Sequence, residues 1–212
     1  MEAQGRRAYW KRTDITRPDD CRALVAGTIE ALGRVDVLAN NAFAYPPFLL
    51  IEDADFTTWR SVIDVNLLGT LRMTRACLPA LKERGGSVVV IGTQSSVAAP
   101  SQVRQAAYAA SKGALTSAMY SLARELGPHR IRVNTVLPGW MWGPPVEAYV
   151  QFTAHTEQVP EADVLKRLTE RMALPELATD GDVADAAVFL ASDRARAITG
   201  QSLLVNAGEL MR

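Results

Sequence analysis

Four short, almost unbroken apolar runs, each closed by glycine, proline or asparagine, constrain this chain more than any other feature. They are VDVLANN at 35–41, SVVVIG at 87–92, IRVNTVLPG at 131–139 and QSLLVN at 201–206. A strand without polar alternation is one covered on both faces, which is the condition of a parallel sheet held between helical layers. Longer stretches with helical spacing separate the runs, at 19–32, 56–84, 107–126 and 182–191. In the second of these, Trp59, Ile63, Leu67, Leu71 and Leu78 supply apolar positions. The alternation predicts an α/β fold built on an open, doubly wound parallel sheet with right-handed crossovers, a type of sheet that binds ligands at the carboxyl ends of its strands.

With 212 residues, 48% of them hydrophobic, the chain can bury one large core, and residues 1–212 read as a single domain. Lys+Arg and Asp+Glu balance at 23 each, which gives the molecule no general attraction to nucleic acid or to an anionic membrane. Cys21 and Cys77 have neither CxxC spacing nor a histidine near them, so a disulfide framework and a zinc site are both excluded and a reducing, cytoplasmic setting is expected. The polar, basic start MEAQGRRAYWKR has no apolar stretch behind it, and no run reaches membrane-spanning length. No cluster has metal-ligand spacing, and neither His129 nor His155 has a partner that would give it a catalytic role.

The chemistry concentrates in YAASKGAL at 108–115. On a helix Tyr108 and Lys112 are i,i+4 neighbours, so the ammonium can favour the ionised phenol and make it a proton donor or acceptor near neutral pH. The small residues Ala109, Ala110, Ser111, Gly113 and Ala114 let another backbone or a flat ligand approach. Taken alone, a YxxxK pair is more often an ordinary helix surface. Its neighbours change that reading. Ser95 stands thirteen positions earlier, just past a strand end, where its hydroxyl can bond the same substrate oxygen. Asn66 lies inside the long helical stretch, an unfavourable place for an amide without a task. NNA at 40–42 and PGWM at 138–141 close two further strands beside the same crevice.

With TDIT at 13–16, VNLLG at 65–69, RVNTVLPG at 132–139 and ITGQSLLVNAGE at 198–209, these motifs resemble the short-chain dehydrogenase/reductase family in order and spacing over nearly the whole chain. The resemblance implies a Rossmann-like fold and an NAD(P)-dependent oxidoreductase interconverting a secondary alcohol and a ketone. It implies Tyr108 as general acid/base, Lys112 lowering the tyrosine pKa and holding the nicotinamide ribose, Ser95 orienting the substrate oxygen, and Asn66 anchoring a water in a proton relay. Ser96 is the rival of Ser95. It further implies NAD or NADP held by Asp14, Ile15, Asn41, Ala42 and Met141 as well as by Tyr108 and Lys112, and a homodimer or homotetramer paired through the helices that begin at Phe56 and Ala107. Asp14 could equally cap a helix, and Asn40 and Asn41 could simply close a strand.

Two departures from the family pattern stand out. Phe43 occupies the position after NNA where the family usually has glycine. The glycine-rich turn that cradles a pyrophosphate should precede TDIT, and an upstream segment bearing it is expected, since in the family's strand order two missing strands lie between the TDIT strand and the run at 35–39, which would otherwise be a bare sheet edge. NAD and NADP are not separable on the residues present. The alternative to an enzyme is a non-catalytic binding or assembly module, which the retained tetrad argues against. Residues 140–180 read as a lid-like insertion whose Trp140, Trp142, Val146, Tyr149 and Phe152 suit either a bulky apolar substrate or packing of the lid itself.

Overall fold

The computed structural model describes residues 5–47, 49–100 and 103–211. Helix α1 (Pro18–Leu32) opens with proline and two aspartates in its first turn and ends at Gly33, whose φ of 93° closes it in the left-handed region. Strand β1 (Val37–Asn40), helices α2 (Phe56–Ile63) and α3 (Thr70–Arg84), strand β2 (Gly86–Ile91), helix α4 (Ala106–Leu126) and strand β3 (Ile131–Pro138) follow. Helices α5 (Pro144–Glu157), α6 (Glu161–Thr169) and α7 (Asp180–Ala191) and strand β4 (Ser202–Val205) complete the order. Thr179 and Asp182 form a reciprocal capping box that fixes where α7 starts.

The sheet is parallel throughout, in the order β1-β2-β3-β4, as the unbroken apolar runs predict. Its two faces can be read from residue parity. Val88, Val90, Ile131 and Val133 pack against Cys21 and Val25 of α1, Met73, Cys77 and Leu81 of α3, and Leu115 and Met119 of α4. The alternate residues Val89 and Val136 pack against Val183 and Leu190 of α7. Every strand therefore ends on the same edge of the sheet, and the loops after them meet there.

Two sequence expectations are corrected. The helix expected over 56–84 is interrupted by a π-helical turn at Asp64–Gly69, which carries Asn66. No strand forms at TDIT; the Asp14 carboxylate accepts the N–H of Thr16 at 2.9 Å and its hydroxyl at 2.7 Å, bending the segment into a turn that leads into α1. Residues 140–180 hold two helices, α5 and α6, packed on each other through Val150, Ala154, Val164 and Leu168. Among the described residues β1 pairs with β2 alone, leaving Val37 43% exposed. No helix among the described residues is long and apolar enough to cross a membrane.

Leu81 is fully buried where α3 meets the sheet. Leu81→Ala should lower the unfolding free energy in urea by roughly 2–5 kcal/mol with an unchanged m-value. A loss under about 1 kcal/mol would contradict its place in the core.

Candidate active site

Burial along α4 recurs in pairs, Ala107 and Tyr108, Ser111 and Lys112, Leu115 and Thr116, one turn apart, and sets one face of the helix against the sheet. That face places Lys112 at the end of β2, 2% exposed, with its Nζ donating to the Ile91 carbonyl at 2.7 Å. The ring of Phe43 lies 6.0 Å from the same Nζ. Without a carboxylate beside it, the ammonium is penalised by burial, which lowers its pKa from 10.5 to about 8.

One turn back, Tyr108 is 6% exposed. The Tyr45 ring packs over it at 4.3 Å between centroids, and Phe43 approaches edge-on at 6.4 Å. Burial raises the Tyr108 phenol well above the ordinary tyrosine range, the adjoining Tyr45 phenol raises it further, and only a hydrogen bond with the Thr93 side chain acts in the other direction. The sequence expectation of a phenol drawn down by Lys112 is thus corrected: the ammonium is directed at Ile91, and desolvation dominates the tyrosine.

Ser95 and Ser96 part company after β2. Ser96 Oγ donates to the Thr93 carbonyl at 2.7 Å, which closes the turn. Ser95 lines the cleft instead, and its Oγ accepts from Gln105 Nε2 at 2.6 Å. Thr93 joins this group to Tyr108, since its Oγ1 also accepts the Ser95 N–H at 3.3 Å. Asn66, with no exposed surface, grips Ala44 on both sides: Oδ1 accepts the Ala44 N–H at 2.7 Å and Nδ2 donates to the Ala44 carbonyl at 3.0 Å. The second Nδ2 hydrogen goes to Ser111 Oγ at 3.0 Å. Both amide donors are therefore committed to holding the loop of Phe43 and Tyr45 onto α4.

The remaining predicted residues spread along the crevice. Asn41 and Ala42 stand exposed where β1 ends. Asp14 is exposed in its turn, its pKa lowered by the two Thr16 hydrogen bonds. Ile15 packs against Gly69, at the end of the π turn, where a Cβ would lie 2.8 Å from the isoleucine side chain. Met141 pairs with Ala178 and packs toward α7. A cleft of about 980 Å³ runs past Thr93, Ser95 and Gln105 to Tyr45, Trp140, Val146, Tyr149 and Phe152. Its floor is braced by Gln94, which donates to Glu209 at 2.8 Å and accepts from Asn206, while Arg171 pairs with the other oxygen of Glu209. Gly139 fits that brace because a Cβ there would stand 2.7 Å from the Asn206 Cβ.

The family model described as enoyl-(acyl carrier protein) reductase matches residues 1–209. L-fucose dehydrogenase of Oryctolagus cuniculus is 33% identical over 98% of this chain and 70% of its own length. The chain belongs to the short-chain dehydrogenase/reductase family. The (−)-trans-carveol dehydrogenase of Rhodococcus erythropolis is also 33% identical, over 100% of this chain and 78% of that protein. A crystal structure from Burkholderia xenovorans assigned to the short-chain dehydrogenases/reductases superposes with a TM-score of 0.86 at 30% identity, covering 98% of this chain and 77% of that one.

This short-chain dehydrogenase/reductase contains groups that the motifs do not reveal. Tyr45 and Thr93 contact Tyr108 and Gln105 contacts Ser95, but none is a member of the YxxxK pair or one of the two serines the sequence singles out. The one available signal was spacing: Gln105 is three residues before Tyr108, about one helical turn.

Lys112 supplies a pH test. Between about 8 and 10.5 the unfolded chain binds a proton that the folded one has released, so stability rises with pH across that window. Against Lys112→Met, the wild type should gain roughly 3 kcal/mol over this range in urea unfolding. A flat difference between the two proteins would show that the ammonium is not desolvated.

Proposed function

We propose that the enzyme interconverts a secondary alcohol and its ketone by hydride transfer with NAD or NADP. The observation that carries this reading is a phenol and an ammonium buried one helical turn apart, beside a largely apolar cleft whose inner wall presents Ser95 and Thr93. Lys112 supports the cofactor assignment, because an ammonium has three donors and, among the described residues, this one has a single hydrogen-bond acceptor, Ile91. Its other hydrogens suit the hydroxyls of a nicotinamide ribose. Asp14 as acceptor for the adenine amino group, Ile15 beside that ring, Asn41 and Ala42 near the ribose and Met141 near the carboxamide complete the proposed set. A bound nicotinamide dinucleotide supplies the hydride exchange with the substrate carbon.

The protein's own part is the proton. In reduction, the Tyr108 hydroxyl gives its hydrogen to the ketone oxygen, a direction favoured by the burial that keeps it protonated. The phenolate left behind keeps its hydrogen bond with Thr93 and has Lys112 one turn along, positively charged below about pH 8. In oxidation the phenolate receives the alcohol proton. Ser95 orients the substrate oxygen, and Asn66 holds the loop that covers Tyr108. The cleft lining supports a bulky apolar substrate: between a polyol such as fucose and an apolar alcohol such as carveol, Trp140, Tyr149 and Phe152 favour the second. Residues 140–180 act as the wall and lid of that cleft. Exposed Leu68 and Tyr120 support a homodimer or homotetramer formed beside α3 and α4.

Tyr108→Phe should reduce turnover of trans-carveol with NAD(P) by at least about 100-fold while cofactor affinity stays within a few-fold, since the hydroxyl acts only in the transition state. Turnover near wild type would remove Tyr108 from the mechanism. Light scattering should give at least twice the mass of one chain, and a monomer would refute the oligomer.

A further inference from the structure

Gln105 is the residue immediately before α4, the position at which serine, threonine, aspartate or asparagine ordinarily caps a helix. Its side chain makes no cap. The amide crosses the cleft floor and donates to Ser95 Oγ at 2.6 Å. A serine hydroxyl has one hydrogen to give and two lone pairs to receive. With Gln105 donating into one lone pair, the Ser95 hydrogen cannot be directed at that partner. The contrast with Ser96 is direct, because the hydrogen of Ser96 is already committed to the Thr93 carbonyl. Gln105 and Ser95 both line the cleft.

We propose that Gln105 is a positioning residue that fixes the polarity of Ser95, turning its single hydroxyl hydrogen toward the oxygen of a ketone bound in the cleft. The proposal rests on the alcohol–ketone reading of the site. It assigns Ser95 the role of donor, alongside the Tyr108 hydroxyl, to an oxygen that becomes more negative as reduction proceeds. Gln105 touches neither the reacting carbon nor its oxygen and acts only through Ser95.

Two variants separate polarity from architecture. Gln105→Glu keeps the length of the side chain but, when ionised, can only accept, so it draws the Ser95 hydrogen away from the ketone. Gln105→Ser gives α4 a capping side chain and abolishes the reach to Ser95. For carvone reduction, Gln105→Glu should lower kcat by at least about 10-fold with KM within about 3-fold, as expected when a donor to a developing oxyanion is lost. Its activity relative to wild type should recover as pH falls and the new carboxyl protonates and can donate. Gln105→Ser should raise the melting temperature and lower kcat, a split that a merely structural glutamine would not produce. A measurement without cofactor complements these. With carbonyl-13C-labelled cyclohexanone as probe, the bound carbonyl resonance in wild type should lie downfield of that in Gln105→Glu, because hydrogen-bond donation deshields the carbonyl carbon.

Equal kcat in wild type and Gln105→Glu, with equal bound carbonyl shifts, overturns the proposal. Loss of the downfield shift in Gln105→Glu, in a wild type that turns over no ketone, upholds the Ser95 polarity and overturns the oxidoreductase reading beneath it.

Discussion

A lysine ammonium buried to 2% exposure and tied to the last carbonyl of β2 is the constraint from which the rest of the crevice is built. A buried charge without an opposite charge is unfavourable and persists only where the fold holds it firmly. The 2.7 Å bond from Lys112 to Ile91 fixes both the rotation and the height of α4 over the sheet. Tyr108, one turn back, then falls beside Thr93, and Ser111 falls opposite Asn66. Gly113, next to Lys112, faces the Thr93–Ser96 turn, where a Cβ would stand in ordinary contact 3.8 Å from the Ser96 carbonyl oxygen.

From α4 the constraint passes outward through hydrogen bonds rather than through packing. Ser111 Oγ donates to the Tyr108 carbonyl and accepts from Asn66, and Asn66 holds Ala44 by both its N–H and its carbonyl. Phe43 and Tyr45 flank the gripped residue, so their rings are delivered onto Lys112 and Tyr108. The π turn at Asp64–Gly69 belongs to this linkage: a widened turn changes the phase between α2 and α3, and Asn66 lies inside it, with its own carbonyl taken by Thr70 Oγ1 at 2.9 Å. An aromatic at position 43 is accommodated because the loop is held from below by Asn66 and its ring is left 49% exposed over the crevice.

The sheet was legible in the sequence because strands covered on both faces leave a signal that does not depend on partners: VVV in β2 and the valines of β3 can be read without knowing what packs on them. Tyr108, Lys112 and Ser95 were legible for a related reason, since their spacing is set within one helix and one strand end. The π turn was not, because Ile63, Leu67 and Leu71 keep helical spacing across it and apolar periodicity cannot register one extra residue in a turn. TDIT was placed on a strand by the resemblance to the family's strand order and not by its own residues, among which Asp14 instead makes an Asx turn with Thr16. Tyr45 lay beyond reach, and Gln105 offered no signal but its spacing from Tyr108: each acquires its task from a contact across the crevice, with Tyr108 in one case and Ser95 in the other.

The direction of the Tyr108 shift shows why helix spacing alone is a poor guide to proton chemistry. An i,i+4 lysine predicts a phenol drawn toward ionisation, yet burial moves the two groups apart in the opposite sense, the phenol upward and the ammonium down to about 8. Both shifts have the same largest cause, the removal of water from a charged form. At neutral pH the same desolvation therefore leaves the phenol protonated and the ammonium still charged but more easily deprotonated. The cover of Phe43 and Tyr45 is part of that behaviour, since a crevice open to water at Tyr108 would rehydrate both groups and return them toward their ordinary values.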